Sequence, residues 1–382
     1  MSLQSFITWT KKANLQERIS VARIVGKTWC AGGFLKKEKD SLILAMMHLL
    51  DDPSPSVRLA FSRSIALSNT VPRHIILALS EDHPDVSGTI ILHSPILKDS
   101  DLFDLIKRGS GLTRVFIASR YKLSHNVAKN LIEIGCLDNI IALLENKSSF
   151  LSSELLTNIA ERFCHVANVR RLLSLRDDLS LKARYLLMKN ICKALCHSDF
   201  VNKVIYSHRS QILCAESMRI GIIEIISNVD DVKILRELVK LLQQDAQLTP
   251  ALLIHSLIMG AIKFISVVLE NLSQYNITRI SSILSNGGFN VIRALYESIG
   301  LDSEISAIFV EATMIWREKF SISATVEPVV IAEKLLLRIN EKSMATSLAT
   351  KELLEMIERI HLYTNRKLVR EIAAKSSQLV AA

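Results

Sequence analysis

Ser124-His125-Asn126-Val127-Ala128-Lys129-Asn130-Leu131-Ile132-Glu133-Ile134-Gly135-Cys136-Leu137-Asp138-Asn139-Ile140-Ile141-Ala142-Leu143-Leu144 holds two apolar stripes and one break. Val127, Leu131 and Ile134 mark the first stripe. Leu137, Ile140, Ile141 and Leu144 follow the 0, 3, 4, 7 spacing of one helix face in the second. Ser124 is placed to cap the first helix, and Gly135 to end it. Two short amphipathic helices joined by one or two residues form a helical hairpin, the unit of a solenoid.

The same texture extends in both directions. Leu235, Leu238, Val239 and Leu242 form one face, while Lys233, Arg236, Glu237 and Lys240 take the other, with Asp231 placed as cap. Turn-then-helix signals recur at Asp51-Asp52-Pro53-Ser54-Pro55-Ser56-Val57, Glu81-Asp82-His83-Pro84-Asp85-Val86, Gly109-Ser110-Gly111-Leu112 and Arg176-Asp177-Asp178-Leu179-Ser180-Leu181. Ser54 or Ser56 can cap the first of these, with Pro55 in the first helical turn. From Val57 through Val86, Leu112 and Leu151 to Leu181 the steps are 29, 26, 39 and 30 residues, a degenerate repeat of HEAT-like size. Composition agrees. The 382 residues include only 12 Gly and 7 Pro, about 5% against roughly 12% in a typical chain. Strands need turns, and turns draw on Gly and Pro. A β-sandwich, barrel or propeller is therefore not expected. With 49% hydrophobic residues, intrinsic disorder is excluded.

The texture changes near the polar run Gln243-Gln244-Asp245-Ala246-Gln247. Thr249 and Pro250 then open a more apolar region, and Ser321 to Glu327 reads as a linker. Pro328 to Ile339 and Glu352 to Lys375 read as closing helices, with Leu353, Ile357 and Ile360 on one stripe and Glu352, Glu355 and Glu358 on another. The expected divisions are HEAT-like repeats over 1–245, a second helical lobe over 246–322 and capping helices over 323–382. Ala251 to Leu269 approaches the length of a membrane span. His255, Gly260 and Lys263 interrupt it, so two buried helices with a turn near Gly260 are expected instead. Met1 to Thr10 shows no basic segment followed by an apolar run, so no secretory leader is expected.

The net charge is +9, and residues 1–80 hold 11 Lys and Arg against 5 Asp and Glu. Lys11, Lys12, Lys27, Lys36, Lys37, Lys39, Arg58 and Arg63 form a candidate patch for an acidic partner. With Arg114 and Arg120, several of these cations also define the alternative reading, a nucleic-acid-binding face. Only 5% of residues are aromatic, which leaves few stacking platforms for that alternative. The cysteines are Cys30, Cys136, Cys164, Cys192, Cys196 and Cys214, without a CxxC pair. Cys192 and Cys196 share a helix face beside His197, but one helix supplies only part of a tetrahedral metal site. Free thiols in a reducing cytoplasm are expected. The sequence holds no phosphate loop, HExxH or GxSxG. Asn286-Gly287-Gly288-Phe289 and Gly32-Gly33 read as interhelical turns. Neither Cys164-His165 nor Cys196-His197 makes a dyad, because helical neighbours point about 100° apart. His208, in Tyr206-Ser207-His208-Arg209-Ser210, has the setting of an exposed phosphoryl acceptor, but nothing else in the sequence matches a phosphotransfer domain.

His83-Pro84-Asp85-Val86, Ser94-Pro95-Ile96-Leu97, Asp101-Leu102-Phe103-Asp104-Leu105 and Ala118-Ser119-Arg120 to Leu123-Ser124 resemble a bacterial helical-repeat family, domain of unknown function 2336, found mainly in alpha-proteobacteria. Leu248-Thr249-Pro250-Ala251-Leu252-Leu253, Gly260, Phe264, Arg279 and Ala294-Leu295-Tyr296 are similar to its downstream blocks. The resemblance spans roughly residues 45–320. It implies a bacterial cytoplasmic protein and brings no catalytic residue with it.

The expectation is therefore an all-α chain: a degenerate HEAT-like helical-hairpin solenoid followed by a second helical lobe. It is expected to be non-catalytic, without cofactor, metal or membrane span. It is expected to serve as a protein-binding scaffold or regulatory adaptor.

Overall fold

The computed structural model of the protein describes residues 3–227, 229–322, 327–342, 344 and 347–380. Among these the fold is all-helical, with 23 α-helices and no strand. The chain divides into two compact units, residues 1–191 and 192–382. The division falls well before the change of texture near residue 245.

The first unit contains α1 (Leu3–Lys12), α2 (Leu15–Ala31), α3 (Lys36–Leu50), α4 (Pro55–Ile65), α5 (Arg73–Ser80), α6 (Pro84–His93), α7 (Asp99–Arg108), α8 (Gly111–Ala118), α9 (His125–Ile134), α10 (Leu137–Glu145), α11 (Ser153–Phe163) and α12 (Ala167–Ser174). The last helix to begin in it is α13 (Leu181–Cys196). Even-numbered helices pack in succession, α2 on α4, then α6, α8, α10 and α12. Odd-numbered helices form second runs, α1 on α3 and α3 on α5, and α7 on α9 and α9 on α11. Each short helix is amphipathic and buries its stripe between such neighbours.

Local chemistry sets the ends of these helices. The Ser124 hydroxyl accepts from the Val127 N–H at 3.3 Å, and Ser110 does the same for Thr113 at 3.3 Å. Pro55 opens α4 behind Ser54, whose side chain makes no capping bond. Gly135 ends α9 in extended backbone, not the left-handed cap its position suggests. Its N–H donates to the Leu131 carbonyl, and a Cβ there would lie 2.1 Å from that oxygen. The glycine is required by close approach. The predicted stripes need one correction. Ile134 is exposed, Leu137 and Ile141 are half-buried, and Leu143 is fully buried. The buried face of α10 is thus rotated relative to the expected one, because α8 and α12 both pack against it.

The second unit continues with α14 (Asp199–Val204), α15 (Ser207–Ser227), α16 (Val232–Gln244), α17 (Pro250–Ile258), α18 (Ile262–Leu272), α19 (Ile277–Asn286), α20 (Phe289–Glu297), α21 (Ser303–Ile322), α22 (Pro328–Glu341) and α23 (Leu348–Val380). It is built around α17, which packs against α15, α18, α21, α22 and α23. Every residue of α17 from Leu252 to Ile258 is buried. That explains the long apolar stretch. Gly260, with φ +73°, turns the chain between α17 and α18. Among the described residues no helix is long and apolar enough to cross a membrane. On α16 the expected stripe of Leu235, Leu238, Val239 and Leu242 is the buried one. Ser321 and Ile322, expected in a linker, belong to α21, and residues 323–326 of that linker lie outside the described residues.

Candidate interaction surface

The last turns of α6, α8 and α10 lie side by side, joined by two side chains. Arg120, just beyond α8, donates to the Ile91 carbonyl and, at 2.7 Å, to the Ser94 carbonyl at the end of α6. Asn146, just beyond α10, donates to the carbonyls of Ala118 at 2.8 Å and Arg120 at 2.7 Å. The Lys122 N–H reaches the Ser148 hydroxyl at 3.4 Å. Helix-end carbonyls lack partners within their own helix. Here the following hairpin supplies them, at sequence separations of 26 to 29 residues.

That edge carries large exposed apolar side chains. Tyr121 follows α8 and Phe150 follows α10, at 70% and 79% exposure. Leu67 follows α4 and Leu175 follows α12, at 80% and 71%. Single exposed apolar residues are ordinary. Such a side chain follows α4, α8, α10 and α12, though none follows α6, and the four make a row along the same helix ends. No hydrophobic periodicity marks these loop positions, so the row is not readable as a stripe.

The predicted basic residues do not form one cluster of free cations. Lys11 and Lys12 end α1, Lys27 lies on α2, and Arg63 lies on α4; all four are exposed. Lys36 and Lys37 open α3, and the Lys39 ammonium sits 5.7 Å from the centre of the Trp29 ring. Arg58 is tied into the fold. It grips Asp82 at 2.6 and 2.8 Å and donates to the Asp52 carbonyl at 2.5 Å. The bond to Asp82 holds the Arg58 pKa above its ordinary value. Burial pushes the Asp82 carboxyl up, but Arg58 outweighs it and the net shift is down. Arg114 donates to the Ile106 carbonyl at 2.8 Å, so it too serves a helix end.

Other candidates resolve as structure. Gly287 and Gly288 form the turn between α19 and α20, and Gly32 and Gly33 form the one between α2 and α3. The three carbonyls of Ile283, Leu284 and Gly287 accept from Arg317 of α21. His208 is exposed in the first turn of α15. Cys192 and Cys196 on α13 face Cys214 on α15, a neighbour that spacing alone does not reveal. Burial first, then the Cys196 hydrogen bond, pushes the Cys214 thiol up to about 12. Among the described residues no group of three His, Cys, Asp or Glu is placed to hold a metal ion. His255 on α17 is 2% exposed and its Nδ1 has no hydrogen-bond partner among the described residues. Burial, then the Arg219 charge, pushes its pKa down to about 3.

The profile of a family described as uncharacterised protein conserved in bacteria, domain of unknown function 2336, matches residues 86–349. The chain belongs to this family. No curated protein and no solved structure matches the chain. The family segment begins in α6, so α1 to α5 precede it, and it includes Arg120, Tyr121, Asn146 and Phe150. In this family member, Ser94 and Arg120 of the resembling blocks build the cross-linked edge.

Proposed function

We propose that this protein is a non-catalytic protein-binding scaffold or regulatory adaptor, and that its first unit is a HEAT-like solenoid. Alternate helices pack in two runs, and Arg120 and Asn146 bind carbonyls about one hairpin back. That is the contact pattern of stacked repeats, each touching only its neighbours. The exposed row of Leu67, Tyr121, Phe150 and Leu175 carries the functional reading. Rows of apolar side chains on a solvated surface mark protein contacts. Arg58, Arg114 and Arg120, which a nucleic-acid face would use, are engaged within the fold, and this favours a protein partner over nucleic acid. Six free cysteines suit the bacterial cytoplasm as the site of action.

The test places a photo-crosslinking residue at position 121 in the native host. Specific protein adducts lost in Phe150→Ala support the scaffold reading. A duplex titrated by fluorescence anisotropy distinguishes the alternative. A salt slope steeper than about −5, near −0.9 per phosphate contact, would promote nucleic-acid binding. That slope would also have to vanish when Lys11, Lys12, Lys36 and Lys37 are changed to Glu.

A further inference from the structure

A cleft of about 690 Å³ opens between α1, α2 and α3. Phe6, Val25, Phe34, Leu42 and Ala45 line its apolar part, and Lys37, Glu38 and Ser41 line its polar part. Its walls are fixed. The Thr10 hydroxyl and His48 Nε2 lie 2.9 Å apart between α1 and α3, and the Phe6 ring meets His48 edge-on at 6.0 Å. Gly32 and Gly33, with φ of +72° and +87°, deliver Phe34 to the cleft by a turn that side-chain-bearing residues rarely adopt.

Charge decides what fits. Lys36, Lys37 and Lys39 stand in the first turn of α3 or just beyond it, where the N-terminal N–H groups already make a positive end. Cations there oppose the helix dipole, and a negatively charged partner reverses that cost. The acidic residue in the lining, Glu38, has its carboxylate engaged by the Leu35 N–H at 3.0 Å. An apolar floor of this size takes side chains, not a phosphate backbone. It lies within the range of ligand pockets, roughly 300–1,000 Å³.

We infer that this cleft docks an acidic amphipathic helix of a partner protein. The apolar face of that helix fills the space over Phe6, Phe34 and Leu42, and its Asp or Glu side chains meet Lys36 and Lys37. This is helix-in-groove recognition. The inference rests on the scaffold reading but uses a different surface. The cleft lies upstream of the family segment, which begins at residue 86. It therefore assigns a partner to this chain's own N-terminal helices.

The test pans a displayed library of random 16-residue peptides against the full chain. The expected pool is acidic, with apolar residues at helical spacing. Phe34→Asp and Lys37→Glu should each weaken the leading synthetic peptide at least about tenfold. Arg63→Glu should leave it unchanged. Neither Phe34 nor Lys37 is a buried core residue, and circular dichroism confirms folding of each variant. A basic pool, or no pool sensitive to both cleft variants, overturns the inference. So does a chain dimer in sedimentation that Phe34→Asp dissociates, since the cleft then holds a second copy. Duplex DNA displacing the peptide would assign the lysines to nucleic acid and also overturn it. If peptide selection fails while position 121 still captures protein adducts, the inference falls and the scaffold reading stands.

Discussion

Asn146 donates its side-chain amide to the Arg120 carbonyl at 2.7 Å, while Arg120 donates its guanidinium to the Ser94 carbonyl at 2.7 Å. Three consecutive even-numbered helix ends are thereby joined through two residues. Removing the Asn146 amide leaves the part-buried carbonyls of Ala118 and Arg120 without their donor. Asn146→Ala is expected to destabilise the first unit by about 1–3 kcal/mol, the cost of stranding such acceptors. Asn146→Asp should be no better, because a carboxylate cannot donate to the two carbonyls. Urea denaturation followed by circular dichroism measures both. A loss below about 0.5 kcal/mol for both variants would show that these bonds do not hold the edge.

Two glycines at or just before the starts of α8 and α10, away from that edge, should respond in opposite directions. A Cβ at Gly135 would lie 2.1 Å from the Leu131 carbonyl oxygen, which is backbone and cannot swing aside. Gly135→Ala should therefore cost about 1–3 kcal/mol through forced displacement. At Gly111, the first residue of α8, a Cβ meets nothing within 4 Å. Gly111→Ala should stabilise by about 0.4–1 kcal/mol, mainly by restricting the unfolded chain. Thermal unfolding of the two single variants reads the sign directly.

His255 makes a prediction about pH. Its folded-state pKa is pushed down to about 3 from 6.5, by burial first and then by Arg219. Glu216 and Arg359 stand around Arg219. A depressed histidine binds its proton in the unfolded state first. Stability from this group is therefore complete above pH 6.5 and falls as pH drops toward 3. One such proton contributes about 1.4 kcal/mol per pH unit at most. His255→Gln should remove that slope between pH 6 and 4 while leaving the other histidines as they are. The observable is hydrogen exchange of α17 amides in the two proteins. Equal pH slopes would mean that His255 takes up a proton in the folded state.

Helix identity was legible wherever one face alone is buried. Leu235, Leu238, Val239 and Leu242 of α16 fall on a single stripe, and both the sequence and the fold put that stripe inside. Thr249 and Pro250 announce α17 through a cap and a first-turn proline, and the structure uses both. Legibility fails where a helix has neighbours on two sides. On α10, Leu143 is buried and Leu137 only half-buried, because α8 and α12 flank the helix. It fails again where a partner comes from the next hairpin. Arg58 reads as a free cation until Asp82, 24 residues on, closes on it. The exposed row fails for a third reason: Tyr121 and Phe150 sit in loops, where no periodicity distinguishes a functional side chain from an incidental one.

The three thiols of the second unit should behave as structure. The Cys214 thiol donates to the Cys192 carbonyl at 3.5 Å, and the Cys196 thiol donates to the Ser210 carbonyl at 3.8 Å. Cys192 is four residues before Cys196, and Ser210 four residues before Cys214, so each thiol meets the carbonyl one turn before the other cysteine. Both bonds use the protonated sulfur. Burial raises the Cys192 and Cys214 pKa values, and the thiolate is the reactive form. Ellman's reagent should therefore label Cys30 and Cys136, which are exposed, well before Cys192 and Cys214. Cys192→Ala with Cys196→Ala should cost about 1–2 kcal/mol and change no metal content. Two results would reverse this account. One is stoichiometric zinc in the wild-type protein that the double variant lacks. The other is labelling of Cys214 as fast as Cys30, which would mean that α13 and α15 do not hold the thiols against one another.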